Sequence, residues 1–147
     1  MASEGDTRRM LDRDACLALL RSVDVGRIAW ATDDGEVTVV PVNFAVAGDD
    51  IVFSTAAGGK LDAVRSARTI SFEADDLEPA LRSGWSVLVV GHAELIAETD
   101  PGAAGHRPAP WDRRPKPYLI RLHLERVSGY RLPLHGGGVS IERQNDP

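Results

Sequence analysis

The sequence predicts an all-β fold: a small antiparallel β-barrel with short flanking helices. Beyond residue 24 the apolar residues recur every second position, the spacing of half-buried strands. Clusters such as Asp33-Asp34-Gly35-Glu36 and Ala47-Gly48-Asp49-Asp50 break this pattern into six to seven short runs, as turns between antiparallel neighbours do. With 147 residues, 43% of them hydrophobic, the chain has the material for one core and little more.

Residues 1–10 are polar and are expected to form a flexible N-terminus. Leu11 to Val23 reads as a helix, with Asp12 as N-cap and Cys16, Leu17, Leu19, Leu20 and Val23 as its apolar face. The strand Val25–Thr32, a turn, and the strand Val37–Val46 follow, then a second turn into the strand Asp50–Ser54. Two consecutive hairpins of this kind predict an antiparallel meander. Pro41 has no N–H for a ladder, so its strand belongs at an edge or bulge. A short helix over Leu61–Ser66 precedes a strand over Arg68–Ala74, and Asp75 to Ala80 reads as a loop. The long strand Trp85–Ile96 carries Gly91, which predicts a bulge or sharp bend. Residues 98–117 are rich in proline and glycine and predict an irregular connection, with a short helix near Asp100–Ala104. Tyr118 to Glu125 and Val127 to Leu132 close the fold, bent near Glu125-Arg126. The domain is expected to run from residue 11 to 133, with 134–147 as a flexible tail.

Composition narrows the functional classes. A net charge of −5 argues against a nucleic-acid surface, which needs a basic face. Apolar runs stop well short of the roughly 20 residues of a membrane span. The polar, acidic start lacks the apolar region of a signal peptide, so a cytoplasmic protein is expected. A single cysteine, Cys16, forms neither an internal disulfide nor a paired-cysteine metal site, and it belongs to the helix's apolar face. The histidines at 92, 106, 123 and 135 lack metal-ligand spacing.

Chemistry concentrates at one corner. In Ile51-Val52-Phe53-Ser54-Thr55-Ala56-Ala57-Gly58-Gly59-Lys60-Leu61-Asp62-Ala63-Val64, an apolar strand ends in two hydroxyls, passes through small residues, and enters a helix behind a lysine. Hydroxyls, free backbone N–H groups and an ammonium converging on a small volume suit a phosphate or another anion. Among other candidates, Arg121 and His123 share a strand face, and Glu73, Asp75, Asp76 and Glu78 read as a solvated turn. Trp111-Asp112-Arg113-Arg114 either folds over a pocket or anchors the long loop on the barrel.

With these residues in place, the chain resembles the pyridoxamine 5'-phosphate oxidase-like flavoproteins, the FMN-binding split barrels. The resemblance runs from about Leu11 to Pro133. It is carried by Val25-Gly26-Arg27-Ile28-Ala29, Val40-Pro41-Val42-Asn43, the Phe53-Ser54-Thr55…Gly59-Lys60 corner, Gly84-Trp85-Ser86-Val87…Gly91-His92-Ala93 and Val127-Ser128-Gly129-Tyr130-Arg131. It implies an antiparallel split barrel, a homodimer with cofactor sites at the interface, and an oxidoreductase acting on a small-molecule substrate. By the same resemblance, Ser54, Thr55 and Lys60 contact the phosphate end of FMN. The Val40, Pro41, Val42 and Asn43 strand faces the ring, and Trp85 and Ser86 reach it from the second subunit. Gly58-Gly59 stand where the oxidases carry serine and arginine. The alternatives are a reduced deazaflavin cofactor on the same corner, or a flavin- or haem-binding carrier or sensor without turnover.

Overall fold

The computed structural model describes residues 9–102, 108 and 111–132. Among these residues the chain forms ten strands and two helices: β1 (Arg9–Leu11), α1 (Arg13–Leu20), β2 (Val25–Ala31), β3 (Val37–Asn43), β4 (Ala45–Ala47), β5 (Asp50–Thr55), α2 (Gly59–Arg65), β6 (Ile70–Glu78), β7 (Ser83–Gly91), β8 (Ala93–Ile96), β9 (Tyr118–Leu122) and β10 (Arg126–Leu132). The strands make a six-stranded sheet in the order β1-β10-β7-β6-β2-β3 and a four-stranded sheet in the order β4-β5-β9-β8, with every pairing antiparallel. The predicted all-β antiparallel barrel is therefore present, split into two sheets.

The period of two explains the core. Ile28 and Trp30 of β2, Ile70, Phe72 and Ala74 of β6, and Trp85, Val87 and Val89 of β7 alternate inward and are buried. They meet Ile51 and Phe53 of β5 and Ile120 and Leu122 of β9 from the facing sheet. Both helices lie on this core through Cys16, Leu17 and Leu20 of α1 and Leu61, Ala63 and Val64 of α2. Burial pushes the Cys16 thiol pKa up, with Asp12 adding to the effect, so Cys16 sits there as an uncharged apolar side chain.

The chain passes between the sheets at four places, one of them through α2 from β5 to β6. At Phe44, between β3 and β4, the buried ring packs edge-on against Phe72 at 4.8 Å, and the Phe44 N–H donates to the Asp24 carbonyl at 3.1 Å. At Gly91-His92 it leaves β7 for β8, and a Cβ on Gly91 would overlap the His123 carbonyl oxygen. Between β9 and β10 it returns, with the His123 N–H donating to the His92 carbonyl at 3.0 Å. The crossings at Gly91-His92 and between β9 and β10 thus lie against each other.

Several expectations are corrected. The strand expected over Val37–Val46 is two strands in different sheets, so the two hairpins form no continuous meander; Phe44 is drawn into the core and turns the chain. The strand expected over Trp85–Ile96 divides likewise at the bend that Gly91 foretold. Asp75 to Glu78 is strand rather than loop, because β6 continues along β7 to the Glu78–Ser83 pair. Arg9, Met10 and Leu11 pair with β10 instead of belonging to a loose terminus or to the helix. Helix α1 is also shorter than its apolar pattern, although Asp12 caps it as expected, its carboxylate accepting the Ala15 N–H at 2.8 Å. Pro101 and Gly102 form a turn, while Ala103 and Ala104 lie outside the described residues, as do residues 1–8 and 133–147. Pro41 does lie on the edge strand, β3.

Candidate functional site

Antiparallel pairing brings the start of β2 beside the end of β3, with Val25 opposite Asn43. The chain's passage at Phe44 then sets that end of the sheet against the end of β5 and the turn into α2. Gly58, at φ +146°, holds a backbone conformation that L side chains rarely adopt, and its turn delivers Lys60 into the first turn of α2. A cleft of about 260 Å³ opens here. Val25, Pro41, Val42 and Asn43 line it from the six-stranded sheet, and Ser54 and Lys60 line it from the corner. Trp111, Asp112, Arg114 and Lys116 border it from the returning loop.

The electrostatics favour an anion. Lys60 is half-buried, and its pKa is lowered, first by that burial and then by the nearby positive charges of Lys116 and Arg114; only Asp112 opposes the shift. Three cationic groups therefore crowd one end of the cleft with a single carboxylate among them. Asp112 organises two of these cations. It accepts from the Arg114 backbone N–H at 2.9 Å and from Arg114 Nε at 2.6 Å, and its backbone carbonyl accepts from Lys116 Nζ at 3.2 Å. Those Arg114 bonds hold the Asp112 carboxyl down at about 2, so its charge is permanent at any ordinary pH. The loop is tied to the barrel where the Trp111 backbone N–H donates to Asn43 Oδ1 at 3.0 Å, a contact between residues 68 apart in sequence.

Of the residues singled out in the sequence, the fold brings Pro41, Val42, Asn43, Ser54 and Lys60 together on this cleft. Val40 packs against the core instead, on the same face of its strand as Val42 but one pleat further from the cleft end. Thr55 is buried and its hydroxyl donates to the Ala56 carbonyl at 3.0 Å, so it closes the strand end rather than facing the cleft. Trp85 lies in the core and borders a second, more open hollow with Asp76, Glu78 and Arg131. Ser86, its neighbour, takes the opposite face of β7. Neither reaches the cleft within one chain. Arg121 is engaged by Asp50, Glu94 and Asp100 on the four-stranded sheet, and His123 by Asp50 and Glu94. Among the described residues no group of three His, Cys, Asp or Glu side chains forms a metal site.

Sequence reasoning left the segment holding Arg114 open between covering a pocket and anchoring the loop, assigned Arg114 no anion contact, and missed Lys116 as a cleft residue. Their signal was the Trp111–Lys116 run, where cations and an aromatic follow one another in an otherwise proline-rich stretch. Gly59 packs close to the core: a Cβ there would come to 3.1 Å from the Trp30 ring, a tight contact to which the ring would have to yield.

The family model for pyridoxamine 5'-phosphate oxidase matches residues 12–131. The chain belongs to the pyridoxamine 5'-phosphate oxidase family. An uncharacterised Mycobacterium tuberculosis protein, Rv0080, is 34% identical over 128 residues, spanning 83% of this chain and 84% of that protein. A Corynebacterium glutamicum structure provisionally described as a pyridoxamine 5'-phosphate oxidase superposes with a TM-score of 0.74 at 28% identity, covering 90% of this chain and 98% of that one. The FAD-binding protein of Mycobacterium smegmatis gives 0.65 at 28% identity, covering 86% and 99%. A FAD- and haem-binding protein of the same organism gives 0.62 at 17% identity, covering 92% and 80%, a likeness of fold alone. The two-sheet barrel seen here is thus the family's split barrel. No helix among the described residues is long and apolar enough to cross a membrane.

Proposed function

We propose that this protein binds a flavin nucleotide in the Lys60 cleft, phosphate toward Lys60, Arg114 and Lys116 and ring toward Val25, Pro41 and Val42, and acts as an oxidoreductase on a small molecule. The observation that carries this reading is the convergence of three cations on one end of a cleft whose other lining is mainly apolar, with Asn43 and Ser54 as its neutral polar groups. With Asp112 among them the four groups sum to two positive charges, which a dianionic phosphate neutralises. The FAD-binding relative at 28% identity supports the same class of ligand. Among the described lining residues there is no histidine, cysteine, methionine or tyrosine, the usual axial ligands of haem iron, so flavin is favoured over haem. Electron transfer then belongs to the cofactor, while the protein sets its orientation and access. FMN fits the small cleft better than FAD, whose adenosine needs room outside it; deazaflavin is the remaining competitor.

The cleft also supports a homodimer. Its volume falls just below the range of ligand sites, roughly 300–1,000 Å³. A ring that outgrows it needs a second wall, and a second copy is the simplest source. Val37, Val39 and Leu88 are exposed on the outer face of the six-stranded sheet and give such a copy apolar surface to cover. Ser86 shares that face, where a partner's site is within reach of it.

The test is the absorbance spectrum of freshly purified protein, followed by titration with FMN, FAD and reduced deazaflavin under sedimentation. Saturable binding of FMN to a two-fold assembly, with reoxidation of the reduced flavin by an added acceptor, is the expected result. A protein that binds none of the three overturns the reading. Binding without turnover of any donor and acceptor pair leaves a carrier.

A further inference from the structure

We propose that Trp111 is the aromatic cover of the bound flavin ring and that Asn43 is the positioning residue that holds it there. This rests on the flavin reading above and deepens it. Trp111 is 74% exposed although it borders the cleft, and it is a large apolar surface left in water beside an apolar lining. A tryptophan that anchored the loop on the barrel would be buried, so exposure removes that explanation. The residue is nevertheless fixed in place. Its backbone N–H is held by Asn43 Oδ1 at 3.0 Å, and the next residue, Asp112, ties down Arg114 and Lys116. Asn43 stands at the end of β3, the strand that supplies Pro41 and Val42 to the same cleft. The cations and the indole are therefore carried on one short segment, with Trp111 at one end and Lys116 at the other. A ligand with a dianion at one end and a flat, electron-poor ring system at the other matches that layout. The indole is the electron-rich face that such a ring stacks on. Asn43 thus acts through its side chain on the loop, not by contact with the ring.

The experiment titrates wild type, Trp111→Phe, Trp111→Ala and Asn43→Leu with FMN, reading dissociation constant and emission of the bound flavin, and with inorganic phosphate by calorimetry. Because Trp111 is exposed, its variants keep the wild-type melting temperature. Trp111→Ala weakens FMN by about tenfold and restores emission of the bound flavin, while its phosphate affinity is unchanged. Trp111→Phe keeps affinity within about threefold, with intermediate emission. Asn43→Leu, which frees the whole segment, weakens FMN and phosphate together at an unchanged melting temperature. Wild-type FMN affinity and quenching in Trp111→Ala overturn the proposal alone. Absence of flavin binding by the wild type overturns the cofactor reading and this one with it.

Discussion

Lys60 shows how far a single residue was readable. Its place behind a strand, two hydroxyls and two glycines is a local pattern, and local patterns survive into the fold. What the sequence did not reveal is the company Lys60 keeps: Arg114 and Lys116 come from a loop more than fifty positions away, steered there by the Asn43–Trp111 bond. Thr55 fails as a cleft residue for an equally short-range reason, since its hydroxyl turns to the neighbouring Ala56 carbonyl. Replacing Lys60 by alanine removes one charge-assisted contact and should weaken FMN about ten- to hundred-fold in a fluorescence titration. The pH dependence follows from the lowered Lys60 pKa. In the free protein Lys60 gives up its proton below the ordinary lysine range, and only the charged form attracts the anion. Affinity should therefore decline on the alkaline side earlier than for an exposed lysine. Asp112, already ionised at about 2, contributes nothing to that slope. In Lys60→Arg the decline should move to higher pH, because a guanidinium keeps its proton.

Among the elements, the strands were legible where one face is apolar, and their ends were not. β6 is the clearest case. Its polar residues Glu73 and Asp75 take the outer face while Phe72 and Ala74 go inward, and from the sequence the acidic run looked like a turn. The true turn falls later, where Arg82 adopts a φ of +48° between β6 and β7. The break of β7 from β8 was foreseen because glycine in a strand has few other uses. Gly91→Ala tests that crossing. A methyl group there meets backbone, the His123 carbonyl, rather than a side chain that can swing aside. A loss of about 3 kcal/mol or more in urea unfolding is expected, at the upper end of overpacking costs because two chain crossings must shift together.

For the molecule as a whole, the outer face of the six-stranded sheet carries a titrating group in an awkward place. Arg27 pairs with Glu73 at 3.2 Å and with Asp75 at 3.5 Å. Burial first, and then Asp75, push the Glu73 carboxyl up to about 7 despite Arg27. A carboxyl that holds its proton more tightly folded than unfolded contributes stability below its unfolded value, near 4.5, and loses it as pH rises through about 7. The Glu73 side chain is 36% exposed, so solvent screening leaves about 1 kcal/mol of that effect. The melting temperature should fall between pH 5 and pH 8 in the wild type, and Glu73→Gln should flatten the fall.

Pro41 has a consequence beyond the site it lines. It stands on the outermost strand, on the same face as the preceding Val37 and Val39, two exposed β-branched residues of the kind that recruit foreign strands into ladders. An incoming backbone would find no N–H at that position to bond, and its ladder would stall there. A cofactor wall built on an unprotected margin would invite fibres; the imino acid lets this one stay open to a ligand while closing it to polymer growth.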